Sequence, residues 1–122
     1  MAVTLGTVPS ALATGLASDS AVSDAGGTQI ASGSSTLFCV KGDGSAATVE
    51  SYIKIWDDTS GAPDSNNPDY VFPILIGETI EYVSAEGNAL ACGLRYFGTS
   101  TRANASTQAA VTGTLEAKFL FS

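Results

Sequence analysis

Histidine is absent from this 122-residue sequence. Without an imidazole, serine–histidine and cysteine–histidine nucleophilic catalysis are excluded, and so is a zinc site with a histidine ligand. Charge is scarce, at 14% of residues against the usual quarter. Positive charge is scarcest, with 5 basic residues against 12 acidic ones and a net charge of -7. Lys41, Lys54, Arg95, Arg102 and Lys118 are scattered along the chain. They make no basic footprint for a phosphate backbone, so direct nucleic-acid binding is not expected, and neither is electrostatic attachment to an anionic membrane. No window approaches the roughly 20 apolar residues that a membrane-spanning helix needs. No Lys or Arg precedes Lys41, so the basic region of a secretory signal is missing and assembly in the cytoplasm is the expectation. Cysteine occurs only at Cys39 and Cys92, too few for a disulfide framework or a zinc cluster. Both lie in apolar, strand-like runs, which favours buried thiols packed as small hydrophobes. A bridge between them is left open.

The hydrophobic fraction is 44%. A chain of this length suits one domain and buries roughly two-thirds of its unfolded surface, enough for a core without metals or disulfides. The sequence divides at about residue 34. Met1 to Ser34 is rich in Ala, Ser, Gly, Thr and Val and has no aromatic residue. Ala2 to Val8 fits a short strand that Pro9 interrupts. Leu12 and Leu16 have helical spacing, weakened by Thr14 and Gly15, and Ala25-Gly26-Gly27-Thr28 is a breaker. Val3, Leu5, Val8, Leu12, Leu16, Val22 and Ile30 make the segment more apolar than a solvated linker. The expectation is an arm, residues 1–34, that lies along a neighbouring subunit.

From Ser35 the pattern has period two, the mark of half-buried strands. Strands are expected at Ser35–Lys41, Glu50–Asp57, Tyr70–Ile76, Thr79–Ser84, Ala89–Phe97 and Val111–Phe121. Turns are expected at Gly42-Asp43-Gly44-Ser45, Gly77-Glu78 and Ala85-Glu86-Gly87-Asn88. Pro73 has no amide hydrogen and confines its strand to a sheet edge or a bulge. In Glu50–Asp57, Ile53 and Ile55 share one face, and Tyr52, Lys54 and Trp56 the other. In Ala89–Phe97, Leu90, Cys92, Leu94 and Tyr96 share a face. In the last strand Leu115, Ala117, Phe119 and Phe121 oppose Thr114, Glu116 and Lys118. The predicted core contains Phe38 or Leu37, with Ile53, Ile55, Leu90, Leu94, Leu115 and Phe119. Short strands divided by turns predict an all-β, antiparallel sandwich over residues 35–122.

No residue stands out as catalytic, cofactor-binding or metal-ligating. The loop from Asp57 to Asp69 gathers Asp57, Asp58, Asp64, Asn66, Asn67 and Asp69. Calcium takes six to eight such oxygens, but the spacing lacks the EF-hand pattern, and Asx-turns in a solvated loop account for the composition. A carboxylate pair for glycoside hydrolysis has no acid-tuning pocket in the sequence. Trp56, Tyr52 and Tyr70 flank the loop, as sheet-face residues or as a platform for a sugar ring. Asn104-Ala105-Ser106 matches a glycosylation sequon and is expected to be chance. No glycine-rich phosphate loop follows a strand and opens a helix.

The stretch from Ser35 to Ser122 resembles small virion proteins of tailed bacteriophages, of the head decoration or cement type. The residues that carry this are Tyr52-Ile53-Lys54-Ile55-Trp56-Asp57, Pro68-Asp69-Tyr70-Val71-Phe72-Pro73, Gly77, and Glu86-Gly87-Asn88-Ala89-Leu90-Ala91-Cys92, followed by an apolar terminal strand. The resemblance implies a jelly-roll-like sandwich, a homotrimer and a non-enzymatic structural role. The resemblance leaves the place on the particle open; the leading expectation is a cement protein on the outer surface of the capsid, with the major capsid protein as its partner. The competing expectation is a tail or fibre module that binds a host surface glycan through Trp56 to Asp69.

Overall fold

Period-two alternation decides the architecture. In the computed structural model, which describes residues 15–22, 28–57, 68–102 and 110–122, eight strands are formed and no helix occurs among the described residues. They are β1 (Gly15–Asp19), β2 (Thr28–Ala31), β3 (Ser35–Ala47), β4 (Ser51–Trp56), β5 (Tyr70–Ile74), β6 (Thr79–Leu90), β7 (Leu94–Thr99) and β8 (Gly113–Phe121). One four-stranded sheet has the order β1-β8-β3-β6 and the other β2-β7-β4-β5. Every pairing is antiparallel. First pairs with last, second with seventh, third with sixth and fourth with fifth, as if one long hairpin had been rolled into two sheets. This is the eight-stranded jelly roll.

The core lies between the sheets. Leu115, Ala117 and Phe119 face inward from β8, Leu37 and Val40 from β3, Ile53 and Ile55 from β4, and Leu94 and Tyr96 from β7, and all are buried. Of the alternatives at the start of β3, Leu37 is the core residue and Phe38 is half-buried. Tyr96 and Phe119 meet across the sandwich with ring centroids 4.4 Å apart and ring planes tilted by 39°, an aromatic contact that adds to simple area burial. Pro73 sits on β5, an edge strand, as its missing amide hydrogen requires. β1 and β2 come from upstream of Ser35 and add an edge strand to each sheet. The rest of the expected arm, residues 1–14 and 23–27, is outside the described residues.

Two expected turns are strand instead. β3 continues through Gly42-Asp43-Gly44-Ser45, with a shift of its register against β8 between Asp43 and Ala46. Gly42 is there for close approach: a Cβ would overlap the Ile74 side chain of the facing sheet. β6 likewise continues through Ala85-Glu86-Gly87-Asn88, but as a wide bulge. Between the Leu37–Asn88 and Cys39–Val83 pairs, β3 advances two residues and β6 five. Gly87, at φ 80°, takes the left-handed conformation that the bulge needs.

The strand expected from Ala89 to Phe97 is also broken. β6 ends at Leu90, a bend occupies Ala91-Cys92-Gly93, and β7 begins at Leu94 in the other sheet. The alternation survives the break because Leu90 and Leu94 still face the core, whereas Cys92 is exposed. Tyr70–Ile76 is shorter than expected, since Leu75 and Ile76 belong to the turn closed by the Glu78 N–H donating to the Leu75 carbonyl at 3.2 Å.

Candidate functional site

The acidic loop resolves into a structural clamp at its ends. Asp57 follows the last residue of β4, and its carboxylate reaches the bend between the two sheets. The amides of Ala91, Cys92 and Gly93 donate to it at 2.9, 2.7 and 3.2 Å. Three successive backbone N–H groups form an anion-binding nest, here filled by the chain's own carboxylate. The hydrogen bond from Cys92, then those from Ala91 and Gly93, hold the Asp57 carboxyl below its ordinary pKa. Asp69 closes the loop from the other side: its Oδ2 accepts from the Asp57 amide at 2.6 Å, and its own amide donates to the Ile55 carbonyl at 2.8 Å. Asp58, Asp64, Asn66 and Asn67 are outside the described residues. Among the described residues no group of three or more His, Cys, Asp or Glu side chains converges as a metal site.

The aromatic platform is not open. β4 is buried on both faces along its whole length. Trp56 is 2% exposed and stacks on Phe97 at 4.7 Å between centroids. It has no free ring face for a sugar. Tyr52 is buried as well, and Tyr70 is half-buried, near Phe72 at 6.3 Å. Lys54, on the same face as Trp56, is 1% exposed, and burial pushes its ammonium below the ordinary lysine range. The sequon at Asn104-Ala105-Ser106 is outside the described residues.

The cysteines correct the expectation of two buried thiols. Both are free, with Cys92 exposed on the bend and Cys39 half-buried. The cause at Cys39 is a second irregularity. Where β3 advances two residues from Leu37 to Cys39, β8 advances one. The extra residue turns Cys39 onto the outer face, while Leu37 and Val40 both stay inside. Burial raises the pKa of the Cys39 thiol, and the neighbouring Glu81 carboxylate adds to that.

Comparison with protein-family models, curated proteins and solved structures gives no match. The functional reading therefore rests on this chain's own surface.

Among the described residues, exposed apolar side chains gather on one sheet face. On the outer face of the β1-β8-β3-β6 sheet, Leu16 pairs with Leu120, Leu120 with Cys39 and Cys39 with Val83. They form an apolar row across all four strands, with Leu16 66% and Val83 70% exposed. The next outward row is Ser18, Lys118, Lys41 and Glu81. Lys41 Nζ lies 3.6 Å from Glu81 Oε1, with both side chains about half exposed, so this pair contributes little stability, on the order of 0–1 kcal/mol. The apolar row is not legible in the sequence: Leu16 falls within the expected arm, and the bulge that aligns Cys39 with Leu120 and Val83 has no signature of its own.

Proposed function

We propose that the chain is a structural virion protein: a capsid cement or decoration protein that binds the outside of a phage head shell and stabilises it. Its partner is the major capsid protein, and no residue has a catalytic role. The observation that carries this reading is the gathering of exposed apolar side chains into patches. Single exposed apolar residues are ordinary on a protein surface, whereas contiguous ones mark sites of contact with other molecules. Two further features support it. The jelly roll is an architecture of viral capsid domains, though also of lectins and cupins, so the fold is compatible with the role and does not select it. The residues that resemble head decoration proteins fall on β4, β5, the β6 bulge and the bend after it, and these elements build the sandwich.

In this reading the protein is a homotrimer on the outer capsid surface, assembled in the host cytoplasm, and the apolar segment before Gly15 (Val3, Leu5, Val8, Leu12) helps fasten it. A specific attachment needs on the order of 1,000 Å² of buried surface. The test is binding of the purified protein to shells that lack it, with copy number measured on intact particles. Saturable binding and a high copy number are expected. A few copies per particle, confined to the tail, would refute the reading and favour a fibre module.

A further inference from the structure

The buried core is built almost wholly from Ser35 onward. Among the described residues, Val22 is the one buried core side chain that lies upstream. Ala17, Ile30 and Ala31 pack against the core from its margin. β1 bonds to β8 alone and β2 to β7 alone. Without them two three-stranded sheets remain, β8-β3-β6 and β7-β4-β5, still facing each other over Leu37, Ile53, Leu94 and Phe119. β1 and β2 are therefore a strap laid across a body that has its own core.

The strap has a shaped seat. Val22 fills a notch that Gly98 leaves open on β7, where a Cβ would lie 2.5 Å from Val22 Cγ1. The Val22 amide donates to the Leu115 carbonyl at 2.8 Å. The Tyr96 hydroxyl donates to Asp19 Oδ2 at 2.6 Å. Gly98, Leu115 and Tyr96 all belong to the body, and the edges of β7 and β8 supply the strand pairing.

We propose that the strap is exchanged between copies: β1, Val22 and β2 of one copy occupy the seat on β7 and β8 of a second copy. This rests on the reading of the chain as an oligomeric particle protein, and it names the segment that joins the copies. The occupant is the one the seat already holds. Its plug, hydrogen bonds and strand register are the same in either arrangement, so exchange needs no new complementary surface.

Only the hinge differs, and its length favours exchange. β2 ends at Ala31 in one sheet and β3 begins at Ser35 in the other. Four Cα steps reach at most about 14 Å, and the crossing between packed sheets takes about 10 Å of that. Ser32-Gly33-Ser34 also bends within this span, which leaves little slack for closure on the same body. All three residues are exposed, and no other group lies within 4 Å of a Cβ at Gly33, so nothing on the body holds the hinge in its bent form. Short hinges of this kind promote exchange. Each copy gives one strap and takes one, so the contact repeats around a ring until it closes. Leu16 of one copy then completes the outer row beside Leu120 of the next.

The experiment uses the full chain and has two arms. In the first, Ser18→Cys and Lys118→Cys are combined in a chain that also carries Cys39→Ser and Cys92→Ser. Ser18 and Lys118 are exposed and directly paired across β1 and β8. After oxidation, a non-reducing gel is expected to show covalently joined copies, and a band at the mass of one chain carrying an internal disulfide overturns the proposal. In the second arm the hinge length is varied and light scattering reads the mass. The wild-type protein is expected at a small multiple of the chain mass, rising with concentration. A Gly-Ser-Gly-Ser insertion after Gly33 relieves the closure and is expected to give the mass of one chain. Deletion of Gly33 is expected to keep the multiple. The proposal is overturned if the insertion leaves the mass unchanged, if the deletion variant is monomeric, or if the wild-type protein is monomeric at every concentration. The hinge series decides if the cysteine pair fails to oxidise, and circular dichroism establishes that each variant is folded. Shell binding separates the two readings. An internally bridged chain that still binds shells sinks the exchange alone, whereas an exchanged oligomer that ignores shells sinks the decoration reading alone.

Discussion

Replacing Asp57 with Ala tests whether one carboxylate joins the two sheets. The side chain accepts three backbone hydrogen bonds from the bend at Ala91, Cys92 and Gly93, where the chain passes from β6 in one sheet to β7 in the other. A hydrogen bond to a charged group contributes roughly 1.5–3 kcal/mol when buried. Asp57 is half-buried, so water competes for it, and the three bonds together are worth about 2 kcal/mol. For a domain of this size that is a fall in Tm of roughly 6–10 °C. Asp57→Asn keeps one acceptor oxygen and loses the charge, so it should fall between wild type and Asp57→Ala. The pH dependence identifies the cause. The folded-state pKa of Asp57 is depressed. Its contribution is therefore fully present above the unfolded-state value of about 4 and lost as pH falls through the folded-state value. Urea titrations of wild type and Asp57→Ala should differ most at neutral pH and converge in acid. A gap that stays constant down to the acid limit would mean that the carboxylate's charge is irrelevant to the clamp. An unchanged midpoint at neutral pH would mean that the bend holds without it.

Phe119→Ala removes a fully buried ring and should cost roughly 3–5 kcal/mol in urea denaturation; an unchanged midpoint would contradict the inward register of β8. Gly42→Ala drives a methyl into Ile74, itself buried, and should cost roughly 1–3 kcal/mol as overpacking, whereas a true turn glycine at φ below zero would tolerate it. Thiol labelling of the native protein should modify Cys92 first and Cys39, which is half-buried and whose thiol has a raised pKa, more slowly; a Cys39 that labels only on unfolding would refute the outer-face bulge. Chelator treatment should leave Tm unchanged, and a large drop would point to a cation held by the segment between Asp57 and Asp69.

The sequence by itself determined the class of fold and most of the core. Strict alternation along Leu115, Ala117 and Phe119, and along Ile53 and Ile55, can be satisfied only by strands with one face on a core, so Phe119 and its neighbours were legible as buried residues. Pro73 announced an edge strand through its missing donor. What tertiary structure alone decided lies where one local signal serves two geometries. Glycine marks a turn and equally a place where another backbone or side chain comes close, and only the position of Ile74 shows that Gly42 is the second kind. The run from Ala89 to Phe97 keeps its alternation across a break, and the break is held by Asp57, some 35 residues away in sequence. Period two therefore could not reveal that Cys92 leaves the strand. Cys39 followed the wrong face for a similar reason, because a bulge depends on pairing with β8 and shifts alternation without altering composition. The outer row of Leu16, Leu120, Cys39 and Val83 comes from four separate stretches of chain. Only the register of four strands, fixed by hydrogen bonds between distant segments, brings it into one line.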